Sequence, residues 1–232
     1  MVIYDRSAST SVRVIDEFDG GVGWLAHPDE AGMRASHALL GDGGDVWLFD
    51  PLAAPGIDEE IASLGDVAGV VVCSAYHARD ADRFARRFDV PVFVPQWLDR
   101  VSERIDAPLE RFDGALANSG FRAREASPVP GWSEAIVYRR SDPTLYVPDL
   151  LGTAPLYLTG DERLAVYLLL RPVVPTAVFE GIAPERILLG HGTGVFTDAA
   201  SALADALATA RRRFPRALLQ GGPQLRALLD AL

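Results

Sequence analysis

The feature that most constrains this chain is a run without a polar side chain, Val67-Ala68-Gly69-Val70-Val71-Val72-Cys73. It is far too short to span a membrane, and its valines favour the extended backbone. A strand that is apolar on both faces must be covered on both faces. That requires a sheet buried inside a layered α/β architecture rather than a sheet with one wet side. The flanking sequence agrees. Val46-Trp47-Leu48-Phe49 reads as another buried strand, stopped at Asp50-Pro51 because proline cannot continue the ladder. Further strands are expected at Val22 to Ala26, Ser36 to Leu40, Pro91 to Val94, Phe121 to Ala126, Ala135 to Tyr138, Thr144 to Val147 and Arg186 to Leu189. Gly41-Asp42-Gly43-Gly44 marks a hairpin turn between two of them.

Helices are expected over Asp58 to Leu64, Arg79 to Phe88, Gln96 to Ile105, Gly160 to Leu170, Thr197 to Phe214 and Gln224 to Leu232. In the second of these, Asp80 and Asp82 open the helix and Arg86 and Arg87 close it, which complements the helix dipole. Strands and helices alternate without a repeat or a low-complexity tract. Over 232 residues the pattern fits one domain, 1–232, with mixed sheets between helices.

Charge narrows the function. The net charge is -10, which opposes nucleic acid and anionic membranes as partners and leaves a small-molecule ligand as the expected one. All 22 basic residues are arginine, so Schiff-base and P-loop lysine chemistry are excluded. A single cysteine, Cys73, excludes a disulfide framework and a cysteine-rich zinc module. No apolar run reaches about 18 residues and the first 20 residues lack a signal-peptide core, so a cytoplasmic location is expected.

Chemistry-bearing residues collect just past apolar strands, where α/β folds place their sites. They occur in Cys73-Ser74-Ala75-Tyr76-His77-Ala78-Arg79-Asp80, in Pro130-Gly131-Trp132-Ser133-Glu134, in Val147-Pro148-Asp149 and in Gly190-His191-Gly192. This order resembles the metallo-β-lactamase superfamily from about Ser36 to Leu207. In that family a strand ends in aspartate, an apolar strand runs into a histidine-rich loop and helix, and a late strand ends in Gly-His-Gly. The resemblance implies a four-layer αββα sandwich and metal-activated hydrolysis of a small ester, thioester or related bond. It places His77, Asp149 and His191 on metal-ligand positions.

The departures from the family pattern are as informative. Ala75 stands at the first histidine, Arg79 at the aspartate, Asp80 at the last histidine of that motif, and Trp132 at the histidine of the next. A pair of ions ~3.5–4 Å apart needs several anions and imidazoles around it, and Arg79 adds charge of the wrong sign. One divalent ion, zinc, iron or manganese, on His77, Asp149 and His191 matches known sites with two imidazoles and a carboxylate. Asp80 is a further candidate ligand, and Ser74, Arg79 and Trp132 line the same pocket. Two alternatives stay open. One is a metal-free pair in which Asp149 orients His77 as a general base. The other is a non-catalytic scaffold with no metal that binds a small anion or a protein partner beside Arg79. His37 reads as a packing residue near the site mouth, and Cys73 as a buried thiol.

Overall fold

The computed structural model describes residues 2–229. Seven strands form one sheet in chain order: β1 (Arg13–Phe18), β2 (Gly21–Leu25), β3 (Ala35–Leu40), β4 (Val46–Phe49), β5 (Val67–Val71), β6 (Val92–Pro95) and β7 (Leu109–Phe112). The first four pair antiparallel, and β4 through β7 run parallel. Two helices make the parallel crossovers, α1 (Ile57–Leu64) from β4 to β5 and α2 (Ala81–Phe88) from β5 to β6. The short α3 (Asp99–Ser102) precedes β7.

A second sheet contains β8 (Phe121–Ala126), β9 (Glu134–Arg139) and β10 (Thr144–Val147), with β13 (Arg186–Leu189) parallel to β10. A small ladder, β11 (Leu151–Gly152) with β12 (Ala165–Val166), lies between β10 and β13 in sequence. The helix α4 (Ala199–Leu229) ends the described chain. No described helix is long and apolar enough to cross a membrane.

The period-two alternation of the strands sorts their side chains into three apolar layers. Val70 and Val72 face one way and pack with Leu48, Ile57, Ile61 and Phe84 under α1 and α2. Val71 and Cys73 face the other way, where Phe49, Phe121, Val137, Tyr146 and Leu188 fill the space between the sheets. Leu145, Val147, Ile187 and Leu189 point away from that layer onto Leu203, Ala206 and Ala210 of α4. Three apolar layers separate four layers of secondary structure, the αββα sandwich. Each fully buried Leu, Val or Phe contributes roughly 1.5–3 kcal/mol of transfer free energy.

Three helical expectations are corrected. Gly160 to Leu170 is a turn, strand β12 and the start of a 3-10 segment, Leu168–Val173. Its apolar content reflects burial, and its path is pinned by Arg171. That guanidinium is fully buried, grips Glu162 at 2.7 and 2.8 Å, and donates to the carbonyls of Tyr157 and Val166. Gln96 to Ile105 keeps only the turn of α3, because Pro108 and the parallel strand β7 follow at once. The two expected C-terminal helices are one continuous α4 beginning at Ala199, and residues 230–232 lie outside the described residues.

Candidate functional site

Strand ends place the site. β4 and β5 run parallel, as do β10 and β13, and Asp50, His77, Asp149 and His191 all follow the carboxyl ends of these four strands. Two close backbone approaches complete the rim. A Cβ on Gly190 would fall 2.2 Å from the carbonyl oxygen of Pro148, so only glycine lets the loop after β13 lie against the loop after β10. Gly192 has φ +103, and the neighbouring Thr153 side chain leaves no room for a Cβ. His191 is thereby held beside Asp149.

The convergence is tight. Asp149 Oδ1 lies 3.0 Å from His77 Nε2 and 3.1 Å from His191 Nε2. The three residues each offer one ligand atom within 4.8 Å of the others. Asp149 is 8% exposed, His77 5% and His191 3%. The far nitrogens are anchored. His191 Nδ1 sits 2.7 Å from the Gly32 carbonyl oxygen, which can only accept, so this nitrogen carries the proton. His77 Nδ1 sits 3.1 Å from Asp50 Oδ2, which also accepts the Tyr146 hydroxyl at 2.7 Å. Asp50 Oδ1 accepts the Cys73 amide. Both Nε2 atoms therefore present lone pairs toward Asp149 unless a second proton is added to the ring.

Neighbours hold this arrangement. The Ser74 hydroxyl donates to Asp149 Oδ2 at 2.5 Å. Glu134 Oε2 accepts the Asp149 and Leu150 amides, and its Oε1 accepts the Trp132 indole N–H. The Tyr157 ring stacks on His191 and its hydroxyl donates to the Asp149 carbonyl. Tyr4 lies against His191 from the N-terminal segment, whose Val2 and Ile3 carbonyls accept the amides of Ala31 and Gly32.

Arg79 adopts φ +41, a strained position for a non-glycine residue. Its Nη1 donates to the carbonyls of Ala35 and Asp50, and its Nη2 lies 3.2 Å from both the Gly190 carbonyl and His77 Nε2. Asp80, expected as a possible ligand, points elsewhere: its Oδ2 accepts the Ala53 amide at 2.7 Å. Trp132 stands between Tyr76 and Tyr167 and is tied to Glu134.

Electrostatics follow from these contacts. Burial works against a charged Asp149, yet the two imidazoles outweigh it and hold the carboxyl well below the usual range. Burial and the Arg79 charge oppose protonation of His77, but Asp149 and Asp50 prevail and raise its pKa. Burial and the Asp149 charge push Glu134 up to about 8. Burial also raises the Cys73 thiol, which stays uncharged and inert.

Two expectations change in detail. The carboxylate on the far nitrogen of His77 is Asp50, so Asp149 faces the reactive nitrogen instead of orienting the ring. Ser74, expected to line the pocket, holds Asp149 through its hydroxyl. Sequence reading gave no site role to Asp50, Glu134 or Tyr157, although Glu134 lies in one of the stretches singled out there. Asp50 carried the clearer signal, as a carboxylate closing a buried strand before proline, and Tyr157 carried none.

Solved structures share this fold. A metallo-β-lactamase from Hirschia baltica is similar with a TM-score of 0.56 and 10% identity, covering 83% of this chain and 98% of its own. A metallo-β-lactamase from Pseudomonas aeruginosa, in its mono-zinc form, gives 0.57 and 14%, covering 89% and 99%. Rubredoxin oxygen:oxidoreductase from Desulfovibrio gigas gives 0.61 and 13%, covering 88% of this chain and 62% of that one. No protein-family model matches the sequence, and no curated protein matches it.

Proposed function

We propose that this chain, which has the metallo-β-lactamase fold, holds one divalent metal ion on His77, Asp149 and His191 and hydrolyses a small ester or thioester. The observation that carries the reading is the shared Asp149 oxygen, 3.0 and 3.1 Å from two Nε2 atoms whose opposite nitrogens are anchored. Metal-binding histidines characteristically donate their other N–H to a carboxylate or carbonyl, as Asp50 and Gly32 accept here. Arg79 reaches only His77 Nε2, so without a bound cation or added protons the lone pair of His191 Nε2 would face a carboxylate in a buried space. The donor set fits one ion of zinc, iron or manganese. It does not fit two, because Ala75, Arg79 and Trp132 supply no anion at the positions that the resemblance gives to ligands, and Asp80, at the fourth, is turned to the Ala53 amide.

When bound, such an ion lowers the pKa of a water toward 7 and polarises a substrate carbonyl. The protein supplies the rest. Asp50 and Gly32 fix the two imidazole tautomers. Ser74 holds Asp149 by its second oxygen. Arg79 places a permanent charge beside the cluster, where it stabilises negative charge developing on a carbonyl oxygen. Tyr157 and Tyr4 shield the His191 side from bulk water.

Purified protein loaded with zinc, iron(II) or manganese and assayed on a panel of small esters and thioesters tests this. Turnover that falls to background in His191→Ala is expected. Equal rates for both proteins, or no turnover by metal-loaded protein, overturn the hydrolase. One contact favours a second reading: Arg79 Nη2 stands 3.2 Å from a ligand nitrogen and repels a cation there. In that reading the chain is a metal-free scaffold that holds a small anion beside Arg79. Its signature is a thermal midpoint unmoved by chelator in protein that purifies without metal.

A further inference from the structure

A cavity of about 510 Å3 adjoins the cluster across Arg79. Its walls come from the N-terminal segment Asp5 to Ser9, the segment after β4 from Leu52 to Pro55, and the start of α2. The volume lies within the range of roughly 300–1,000 Å3 that small-molecule sites occupy.

Its charge is notable in a chain of net charge -10. Four arginines line it, Arg6, Arg34, Arg79 and Arg83. Arg34 is neutralised by Glu30, which it grips through Nε and Nη2. Arg6, Arg79 and Arg83 have no carboxylate at ion-pair distance among the described residues. The two carboxylates in the walls are already engaged. Asp80 accepts the Ala53 amide, and Asp5 accepts the amide and hydroxyl of Ser7 and stands 3.8 Å from His27. Arg79 spends both Nη atoms on the carbonyls of Ala35, Asp50 and Gly190, and its Nε is buried, so it gives the wall an unneutralised charge rather than a free fork.

We infer that this cavity is a binding site for a small polyvalent oxyanion, a phosphorylated or polycarboxylate molecule, gripped by Arg6 and Arg83 beside the fixed charge of Arg79. The inference takes up the anion reading above and places its ligand, but it stands whether or not the cluster holds a metal. Guanidinium forks match phosphate and carboxylate oxygens in pairs, so two free forks and a third unneutralised charge around one cavity select a ligand carrying two or more negative charges. If the cluster hydrolyses esters, the same site holds the anionic end of the substrate and Arg79 touches both halves of the reaction.

Titration calorimetry of the full chain at low ionic strength, with inorganic pyrophosphate in one arm and citrate in another, tests the site. Both arms are run with and without chelator. Arg6 and Arg83 are exposed, so their variants are expected to fold normally. Arg83→Gln should weaken binding about tenfold and the double variant with Arg6→Ser should abolish it, as loss of charge-assisted hydrogen bonds predicts. Arg87→Gln removes the same charge from α2 outside the cavity and should leave affinity unchanged. Stronger binding of pyrophosphate assigns a phosphorylated ligand, and stronger binding of citrate a polycarboxylate. No saturable binding in either arm, or equal losses in Arg83→Gln and Arg87→Gln, overturns the inference. Binding that survives chelator while the metal assay fails leaves this site standing and removes only the hydrolase.

Discussion

The His37–Asp16 pair and the His77–Asp149–His191 cluster are built from the same residue types at the same spacing. His37 Nε2 lies 3.1 Å from Asp16 Oδ2, and His191 Nε2 lies 3.1 Å from Asp149 Oδ1. Both are buried. They differ in what surrounds the contact. His37 sits in β3 opposite Gly23, edge-on to Tyr146, and its Nδ1 has no partner among the described residues. Asp16, at the bulge of β1, uses its other oxygen to accept the Gly194 amide. That pair is a pin between an edge hairpin and the loop after His191. In the cluster two rings share one oxygen and each far nitrogen is anchored. Burial and pairing alone do not mark a site; several locked rings converging on one anion do.

Removing a ring from the cluster should break this contrast hardest. His77→Ala and His191→Ala are expected to lose at least about 100-fold in metal affinity, more than the loss of an outer partner. His37→Ala should keep the parent stoichiometry, read by elemental analysis after equilibrium dialysis. If His37→Ala loses metal as fully as His191→Ala, the contrast is wrong.

A finer cut is Asp50→Asn, which leaves the three ligand residues and loosens only the tautomer of His77. Its metal affinity should fall by about 10–100-fold, measured in competition with a chromophoric chelator. An unchanged affinity would mean that Asp50 serves packing through Tyr146 and Cys73 alone.

The pin should show itself in stability. His37→Ala strands a buried carboxylate and is expected to cost about 3 kcal/mol in urea unfolding. A cost within error of zero would make the pair incidental.

The smallest effect belongs to Asp142, in the turn between β9 and β10, clamped between Arg139 and Arg186. Burial would raise its carboxyl, but hydrogen bonds and charge from Arg186 and Arg139 lower it. A lowered folded value means the folded state binds fewer protons than the unfolded one. The clamp therefore stabilises above the unfolded value of about 3.9 and is lost as pH falls through the lower folded value. Asp142 is about one-third exposed, so solvent screening limits the cost of Asp142→Asn to about 1 kcal/mol at pH 7. The two proteins should converge below the folded value; an equal gap at pH 7 and pH 2 would place the effect elsewhere.

Much of the layering was legible because strand alternation reports which face is covered. Val70 and Val72 part from Val71 and Cys73 in sequence as they do in the two apolar layers. Position after a strand marked four stretches, and the resemblance to a known family then singled out His77, Asp149 and His191 within them, which the fold gathers at one rim. What stayed hidden acts at a distance in sequence. Asp50 works through the far nitrogen of His77, and Glu134 through backbone amides beside Asp149. Gly160 to Leu170 misled because an apolar run bent around a buried Arg171–Glu162 pair has the composition of a helix.

The most direct test is the metal content of the purified chain beside its His191→Ala variant, with thermal midpoints taken with and without chelator. The account predicts about one zinc, iron or manganese per chain, absent from the variant, and a midpoint that chelator lowers only in the parent. Metal-free parent protein that cannot be loaded, with a midpoint indifferent to chelator, would contradict it.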